Sequence, residues 1–258
     1  MTKKKTQAQQ SSVSNRMPAE THVLHTHRAA IRHIKRVDPR FARVIDQIVQ
    51  RVGRFNIKPS GHAGPFEALL RSIFYQQLNG KAAATILGRF KDRFGGGQMP
   101  SPAQTLAVTT TQLRSVGLSR QKIAAIRDLS QKALDGTVPT QAEIELLSNE
   151  EIIERLTVVR GVGVWTVEML LISHLGRPNV LPVSDFGVRK GFQLAFGKRR
   201  MPTPKELGAY GERWHPYGTV ASWYLWRASE QLRAKKTKPA ASAPVRPLKK
   251  ANPKKSKR

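Results

Sequence analysis

Apolar residues recur at helical spacing along most of the chain between residues 20 and 232. An apolar face that repeats every three to four residues predicts an amphipathic helix that packs on a core. The first two such helices span 20–35 and 39–52, with Asp38 and Pro39 in the N-cap and first-turn positions of the second. No stretch shows the strict alternation and paired turns of a strand, so the pattern predicts an all-α fold. Further helices are predicted at 65–78, 81–94, 111–115, 119–134, 141–147, 149–156, 165–175, 186–196, 204–210 and 216–232.

The charge of the chain changes this picture by pointing to a partner. Lys and Arg number 45 against 17 Asp and Glu, which gives a formal net charge of +28. The segments 1–16 and 234–258 hold fourteen of the basic residues and no acid, and we predict that both are disordered tails. Their removal leaves +14 on a helical domain at 17–233. A domain this basic favours a polyanion, most simply nucleic acid, whereas the tails either add DNA affinity or serve solubility alone.

Several classes of protein are excluded or disfavoured. The chain has no cysteine, which excludes disulfides, thiolate zinc sites and cysteine-ligated iron–sulfur clusters. No apolar run approaches the roughly 18 residues of a membrane span, and a signal-peptide pattern is missing. We therefore expect no membrane partner and a cytoplasmic location, close to the nucleoid if the source is bacterial. Histidines at 22, 25, 27 and 33 favour a surface helix over a metal cluster, and no metal site is predicted.

The most specific pattern lies between residues 156 and 191. A helix ending by Arg160 leads into a tight Gly161-Val162-Gly163 turn, and a second helix begins at about residue 165. Glycines let the backbone turn sharply and approach a partner, and the free N–H groups at a helix start favour an anion. On a chain this basic, that anion is a DNA phosphate. Further on, Asp185 is a single acid among proline, serine, glycine and basic residues.

The hairpin, Trp165-Thr166 directly after it and an aspartate about twenty residues later resemble the helix-hairpin-helix DNA glycosylase superfamily. Within it, the chain is similar to the 3-methyladenine DNA glycosylase II branch, over about 65–227 and with the hairpin motif at about 149–175. The resemblance implies two helical lobes around an active cleft, one from the middle of the chain and one from both flanks. It also implies a monomer that acts on double-stranded DNA containing damaged bases.

Asp185 occupies the position of the family's catalytic aspartate. Breaking an N-glycosidic bond builds positive charge on the sugar, which a carboxylate stabilises while it orients or deprotonates the attacking water. The alternative is that Asp185 only caps the helix that starts near Phe186.

Aromatic side chains are expected to hold the flipped base by stacking, and a cationic base gains further from an indole face. By family position, Trp165 and Trp226 are pocket walls, and Met169 lies one turn beyond Trp165 on the same helix face. Phe74 and Tyr75 either line the pocket from the opposite side or simply pack.

The resemblance also implies a set of DNA contacts. Gln77 aligns best with the residue that fills the gap left by the flipped nucleotide, with Leu78 beside it, although a plain helix end is the alternative. Arg160 departs from the proline that the family often has before the hairpin glycine, which loosens the turn or adds a phosphate contact. The remaining predicted DNA-binding residues are Gly161, Gly163, Thr166, Arg189 and Lys190.

The residue after the hairpin indicates the subclass. Relatives that also cut the DNA backbone place a lysine nucleophile where this chain has Trp165, and an indole cannot form a Schiff base. The sequence therefore predicts a monofunctional glycosylase for alkylated purines such as 3-methyladenine, without an organic cofactor. Hairpin carbonyls of the family can hold a monovalent cation, which stays open here. Two alternatives also stay open: a glycosylase for oxidised or deaminated bases, and a non-catalytic hairpin protein that binds damaged DNA.

Overall fold

The computed structural model describes residues 19–59 and 64–237, and within these ranges it is helical and contains no strand. The predicted all-α class is confirmed. A short 3-10 helix, Glu212–Trp214, precedes the last α-helix. The α-helices are α1 (Ala19–Val37), α2 (Pro39–Val52), α3 (Pro65–Tyr75), α4 (Gly80–Phe94), α5 (Pro102–Ala107), α6 (Thr110–Ser115), α7 (Arg120–Leu134), α8 (Gln141–Leu146), α9 (Asn149–Thr157), α10 (Val164–Ser173), α11 (Phe186–Ala195), α12 (Pro204–Gly211) and α13 (Gly218–Thr237).

The helix starts follow from local capping. Five helices begin with a Ser or Thr that accepts the N–H of the third helical residue, while the Gln or Glu at that position bonds back to the cap. This reciprocal box satisfies two backbone N–H groups that the helix itself cannot. The apolar pattern does not predict helix α5, although its Ser101–Gln104 capping box can be recognised in the sequence.

Two helix ends differ from the prediction. Helix α3 stops at Tyr75 rather than at 78, because Gln76 leaves the helical region and Gln77 has a φ of 56°. Helix α13 runs to Thr237, so the first four residues of the predicted C-terminal tail, 234–237, are helical. The tail predicted at 1–16 and the rest of the C-terminal one lie outside the described residues.

Two hydrophobic cores underlie the two lobes. One core is built from the middle of the chain, from Ala68 to Val180, and the other from both flanks, Ala30 to Phe55 and Val188 to Ala228. The predicted two-lobed arrangement is confirmed. The partly buried Trp226 packs against both cores, which places its indole where the lobes meet.

Asp38 does more in the flank lobe than cap α2. Its Oδ1 accepts the N–H of Phe41 at 3.0 Å, as predicted for an N-cap. Its Oδ2 accepts the Tyr210 hydroxyl at 3.0 Å and the Trp214 indole N–H at 3.2 Å. Burial, followed by the hydrogen bond to Asp38, raises the pKa of Tyr210 to about 12. The buried carboxylate thus joins the N-terminal helices to the C-terminal part of the chain.

The N-terminal histidines show ordinary packing where they are described. His27 contacts Phe55 edge to face with ring centroids 4.2 Å apart, and His33 contacts Tyr217 at 5.3 Å. The side chains at 22 and 25 lie outside the described residues. Across 19–59 and 64–237, no helix is both long enough and apolar enough to span a membrane.

Candidate active site

The hairpin between α9 and α10 is shaped by its first glycine. Gly161 has a φ of +78°, a conformation that side chains disfavour, and a Cβ there would lie 3.3 Å from the Cβ of Ala125. Val162, between the two glycines, is buried and anchors the turn in the middle-lobe core. The exposed backbone on either side of Val162 is therefore held at a fixed position.

Arg160, which replaces the proline common in the family, gives the hairpin a further anchor. Its backbone N–H donates to Asp128 Oδ2 at 2.7 Å, and Asp128 Oδ1 pairs with Lys132 Nζ at 2.5 Å. Burial opposes ionisation of Asp128, but the hydrogen bonds from Arg160 and Lys132 outweigh it and lower its pKa. Proline has no N–H and could not make this bond. The departure from the family pattern is thus matched by a contact that tightens the turn.

Gly163 is the N-cap of α10 and supplies no side-chain acceptor. Without a capping side chain, N–H groups of the first helical turn stay available for an external anion, which the helix dipole also favours. A Cβ at residue 163 would meet no atom within 4 Å, so the space in front of this helix end is open.

Asp185 lies at the start of α11 and is held by three N–H donors. Its Oδ1 accepts the backbone N–H of Val188 at 2.7 Å and the indole N–H of Trp226 at 2.8 Å. Its Oδ2 accepts the indole N–H of Trp165 at 2.8 Å. One carboxylate therefore caps the helix and also faces both predicted pocket tryptophans.

Glycines bring Trp226 within reach of this carboxylate. A Cβ at Gly191 would collide with the carbonyl oxygen of Leu225, and one at Gly187 would lie 2.8 Å from Trp226 Cδ1. Glycine at both positions lets α11 and α13 approach closely enough for the Trp226 indole to reach Asp185. The spacing F-G-V-R-K-G after Asp185 thus has a packing reason.

A cavity of about 760 Å³ lies beside this site, within the size range of small-molecule pockets. Trp165 belongs to both features: its ring lines the cavity, its side chain is 48% exposed, and its N–H holds Asp185. The cavity lining includes seven of the predicted site residues: Tyr75, Gln77, Arg160, Gly161, Trp165, Thr166 and Met169.

The segment after α3 forms a tight turn at the rim of the cavity. Gln77 sits at positive φ, a conformation that is uncommon outside glycine and concentrates at functional sites. Leu78, beside it, is exposed. Gln76 donates from Nε2 to the carbonyl of Gly161 at 2.9 Å. This bond ties the turn at 76–78, called the plug segment because Gln77 is predicted to fill the gap left by the flipped nucleotide, to the hairpin across 85 positions of sequence.

Phe74 takes the second of the two roles that the sequence left open, since it packs in the core and is not a pocket wall. It is fully buried in the middle-lobe core, where its ring centroid lies 5.1 Å from that of Phe90. Neighbouring residues on a helix point about 100° apart, so Tyr75 faces the cavity when Phe74 faces the core. Of the two aromatics, only Tyr75 lines the site.

Of three other predicted DNA contacts, two bond to the protein and one is buried. Arg189 donates from Nε to the carbonyl of Pro202 at 2.8 Å, and Lys190 donates from Nζ to Gln193 Oε1 at 2.7 Å. Thr166 lines the cavity but is buried. A DNA contact at each of these positions stays a prediction.

Two ionisable residues near the site are not among the site residues that the sequence predicts. Lys122 lines the cavity and donates from Nζ to the carbonyl of Phe74 at 2.6 Å, and burial lowers the pKa of its ammonium. Glu168 lies one turn after Trp165 and is 9% exposed. Burial first and the charge of Asp185 second raise its pKa to about 7. The available signal for Glu168 was an acid in the otherwise apolar run V-W-T-V-E-M-L-L-I; Lys122 had no comparable signal.

Comparison with known families decides what this arrangement is. Residues 70–216 match the model of the HhH-GPD superfamily, base excision DNA repair proteins. The chain belongs to this superfamily. The hairpin of the family name is the α9–α10 turn, and Asp185, the N-cap of α11, lies within the matched range.

Relatives within the superfamily act on alkylated DNA by name. The chain is 39% identical to DNA-3-methyladenine glycosylase 1 of Schizosaccharomyces pombe, over 72% of this chain and 78% of that protein. The structure of that organism's 3-methyladenine DNA glycosylase (Mag1) with abasic DNA aligns with a TM-score of 0.67 and 36% identity, covering 78% of this chain and 97% of that one. A DNA-3-methyladenine glycosidase from Bacillus halodurans aligns with a TM-score of 0.71 and 33% identity, over 80% and 91%.

Proposed function

We propose that this superfamily member is a monofunctional DNA glycosylase that removes alkylated purines such as 3-methyladenine from duplex DNA in base excision repair. The observation that carries the proposal is Asp185, held by the indoles of Trp165 and Trp226 beside a cavity large enough for a base. The names of the relatives support alkylated bases as the substrate class. We propose that one protein monomer acts on one damaged site in the cell interior.

The chemistry assigns a role to each side of the site. A purine nucleotide methylated at a ring nitrogen, such as N3 of adenine, carries a positive charge, which the electron-rich faces of Trp165 and Tyr75 attract when the nucleotide turns out of the duplex. The bond between C1′ and the base nitrogen breaks, and its electron pair leaves with the base, which becomes neutral. The sugar is left with the positive charge, and Asp185 stabilises it by its own negative charge. A water then forms a bond to C1′ and gives its proton to the carboxylate or to solvent.

DNA is held by the rim of the cavity. The N-terminus of α10 offers backbone N–H groups to a phosphate, and Gln77 fills the gap left by the turned-out nucleotide. Of the hairpin carbonyls, that of Val159 accepts the Val162 N–H and that of Gly161 accepts the Gln76 amide. Each keeps a second lone pair, and we propose that these oxygens are available to a monovalent cation, as in the hairpins of the family. Such a cation would add positive charge toward the phosphate.

The test is release of free bases from methylated duplex DNA, with the products separated and identified. We expect 3-methyladenine and other alkylated purines from the wild type. Asp185→Asn keeps the shape and the N-cap of α11 but removes the charge, so base release should fall by about three orders of magnitude or more while damaged-DNA binding remains.

The same assay separates the alternatives. Near-normal turnover by Asp185→Asn would contradict the assignment of the carboxylate. Release of oxidised or deaminated bases instead of alkylated ones would show that the protein acts on that class of damaged base. Damaged-DNA binding without release of any base by the wild type would indicate a non-catalytic binding protein.

A further inference from the structure

Glu168 is a buried acid, and among the described residues one of its carboxylate oxygens lacks a hydrogen-bond donor. Its side chain is 9% exposed, and Oε2 has no hydrogen-bond partner within the part of the chain that the structure describes. An ionised carboxylate in such a place is costly, because neither water nor a donor compensates its charge. Proteins retain such groups rarely, and this one lies on the helix that carries Trp165.

The position of Glu168 connects it to the catalytic centre. Residues three apart lie on one helix face, so Glu168 shares the face of Trp165, whose indole donates to Asp185 Oδ2 at 2.8 Å. Besides burial, the charge of Asp185 is the influence resolved at Glu168, and together they raise its pKa to about 7.

The cations on the helices packed against α10 are engaged elsewhere. On α3, Arg71 lies over the ring of Tyr75, 4.5 Å from its centroid. On α9, Arg155 donates to the carbonyls of Gly136 and Thr137. Neither arginine therefore neutralises the Glu168 carboxylate, and the group that its ionisation would oppose is Asp185.

We propose that Glu168 is a second carboxyl of the active site, whose charged form attracts a positive charge beside Asp185 and whose proton, where it is still bound, is released to solvent when such a charge forms or binds. Two neighbouring carboxylates resist being ionised together, because their like charges repel each other. A cation bound between protein and DNA favours the ionised form of both. The O–H bond of Glu168 breaks, its electron pair stays on the carboxylate, and water takes the proton. Glu168 then acts through its field and not by contact, as a positioning residue for the charge on the sugar. The inference rests on the proposed function, with Asp185 as the catalytic carboxylate.

The direction of the resulting pH dependence follows from which protonation state of Glu168 attracts a cation. The carboxylate attracts a cation, so the extra affinity is present above about pH 7 and is lost as the pH falls below it. A bound cation also lowers the pKa of Glu168, and protons are released on binding. A neutral molecule of the same shape causes neither effect.

The experiment compares two duplexes that differ by one charge. One contains a pyrrolidine abasic-site analogue, an amine that stays protonated at the working pH, and the other contains the neutral tetrahydrofuran analogue. The ratio of their dissociation constants, neutral over cationic, is measured near pH 6 and near pH 8 for wild type and Glu168→Gln. We expect the ratio to rise about tenfold with pH in the wild type and to stay flat in Glu168→Gln. Equal tetrahydrofuran binding by both proteins shows that the variant is folded.

Two results would overturn the inference: the same rise in both proteins, which assigns the effect to another group, or no rise in the wild type. A second measurement needs no variant. Titration calorimetry of the wild type near pH 7, in buffers of different ionisation enthalpy, should show more proton release with the cationic duplex than with the neutral one. Equal proton release with the two duplexes would contradict the inference. Failure of the wild type to bind either duplex would count against the proposed function itself.

Discussion

At the scale of single residues, the geometry of Asp185 confirms that it caps a helix and is compatible with the catalytic role that the sequence offered as the alternative. Its Oδ1 caps α11 through the Val188 N–H, and both carboxylate oxygens also accept indole N–H groups. A cap has a nearly fixed side-chain orientation, because its oxygen must reach an N–H three residues on. Capping is therefore the means by which the fold aims the carboxylate at the cleft.

The indole N–H groups should matter beyond the stacking surface that they belong to. Trp226→Phe keeps an aromatic ring but removes one donor to Asp185, so single-turnover base release should fall about tenfold while duplex binding is kept. Trp223→Phe is the matched control, since that indole lies on the same helix and packs in the flank-lobe core. An equal loss in both variants would indicate damage to the packing of α13 rather than to Asp185.

Glu168 should also lower the stability of the fold as the pH rises. Its folded pKa of about 7 lies above the ordinary value of 4.5, so between these values the native state holds a proton that the unfolded state has lost. The contribution of Glu168 to the free energy of unfolding is therefore fully present below about pH 4.5 and declines as the pH rises to about 7. Glu168→Gln does not ionise and should be more stable than the wild type at about pH 8, by up to about 3 kcal/mol. Urea unfolding near pH 4.5 and pH 8 checks this, and a gap between the two proteins that is independent of pH would contradict it.

At the scale of elements, the parts proposed to face DNA are tied to one another by side chains that reach backbone atoms. Gln76 joins the turn after α3 to the hairpin carbonyl of Gly161, and Asp128 of α7 holds the hairpin through the Arg160 N–H. Such bonds fix loops whose own sequences specify little structure. The plug segment and the hairpin are thereby held in one geometry at the rim of the cavity.

The start of α10 should bind duplex DNA irrespective of damage. Gly163→Asp has room for its side chain, and aspartate is a good N-cap, so the variant should fold. Its carboxylate would occupy the N–H groups and repel a phosphate, and we expect about a tenfold loss of affinity for damaged and undamaged duplexes alike. Gly163→Asn, an uncharged cap, is the control and should lose less. Unchanged affinity in the folded aspartate variant would show that the hairpin is only structural.

At the scale of the whole molecule, two cores built from different parts of the chain meet at Trp226. Trp165, on α10 next to the middle-lobe core, and Trp226, on the last helix of the flank lobe, reach the same carboxylate. The site therefore exists only when both lobes are folded. The chain that carries this site has a net charge of +28, which attracts it to a polyanion.

The product of the whole reaction should be an uncut strand with an abasic site. A lyase needs an amine at the sugar carbon, and the position after the hairpin holds Trp165. We expect strand breaks only after alkali or an added endonuclease, and no covalent adduct on borohydride treatment. Lys122 is the lysine of the cavity lining, so Lys122→Arg is the informative variant. A strong adduct in the wild type that disappears in Lys122→Arg would contradict the monofunctional assignment and identify the nucleophile.

The sequence by itself determined most of the helices, the hairpin and, through the family resemblance, the catalytic candidate, because each depends on residues close together along the chain. Periodicity, capping boxes and the glycine spacing are local, and Asp185 follows the hairpin at a readable distance. Only the tertiary structure decided which helix face meets which neighbour. Phe74 and Tyr75 are adjacent in sequence, yet one joins the core and the other the cavity. The bond from Trp226 to Asp185 spans 41 positions along the chain. The burial of Glu168, which feels the charge of Asp185, depends on how α10 packs against α3 and α9. Burial and long-range pairing arise from the joint packing of distant segments, and a local pattern does not contain them.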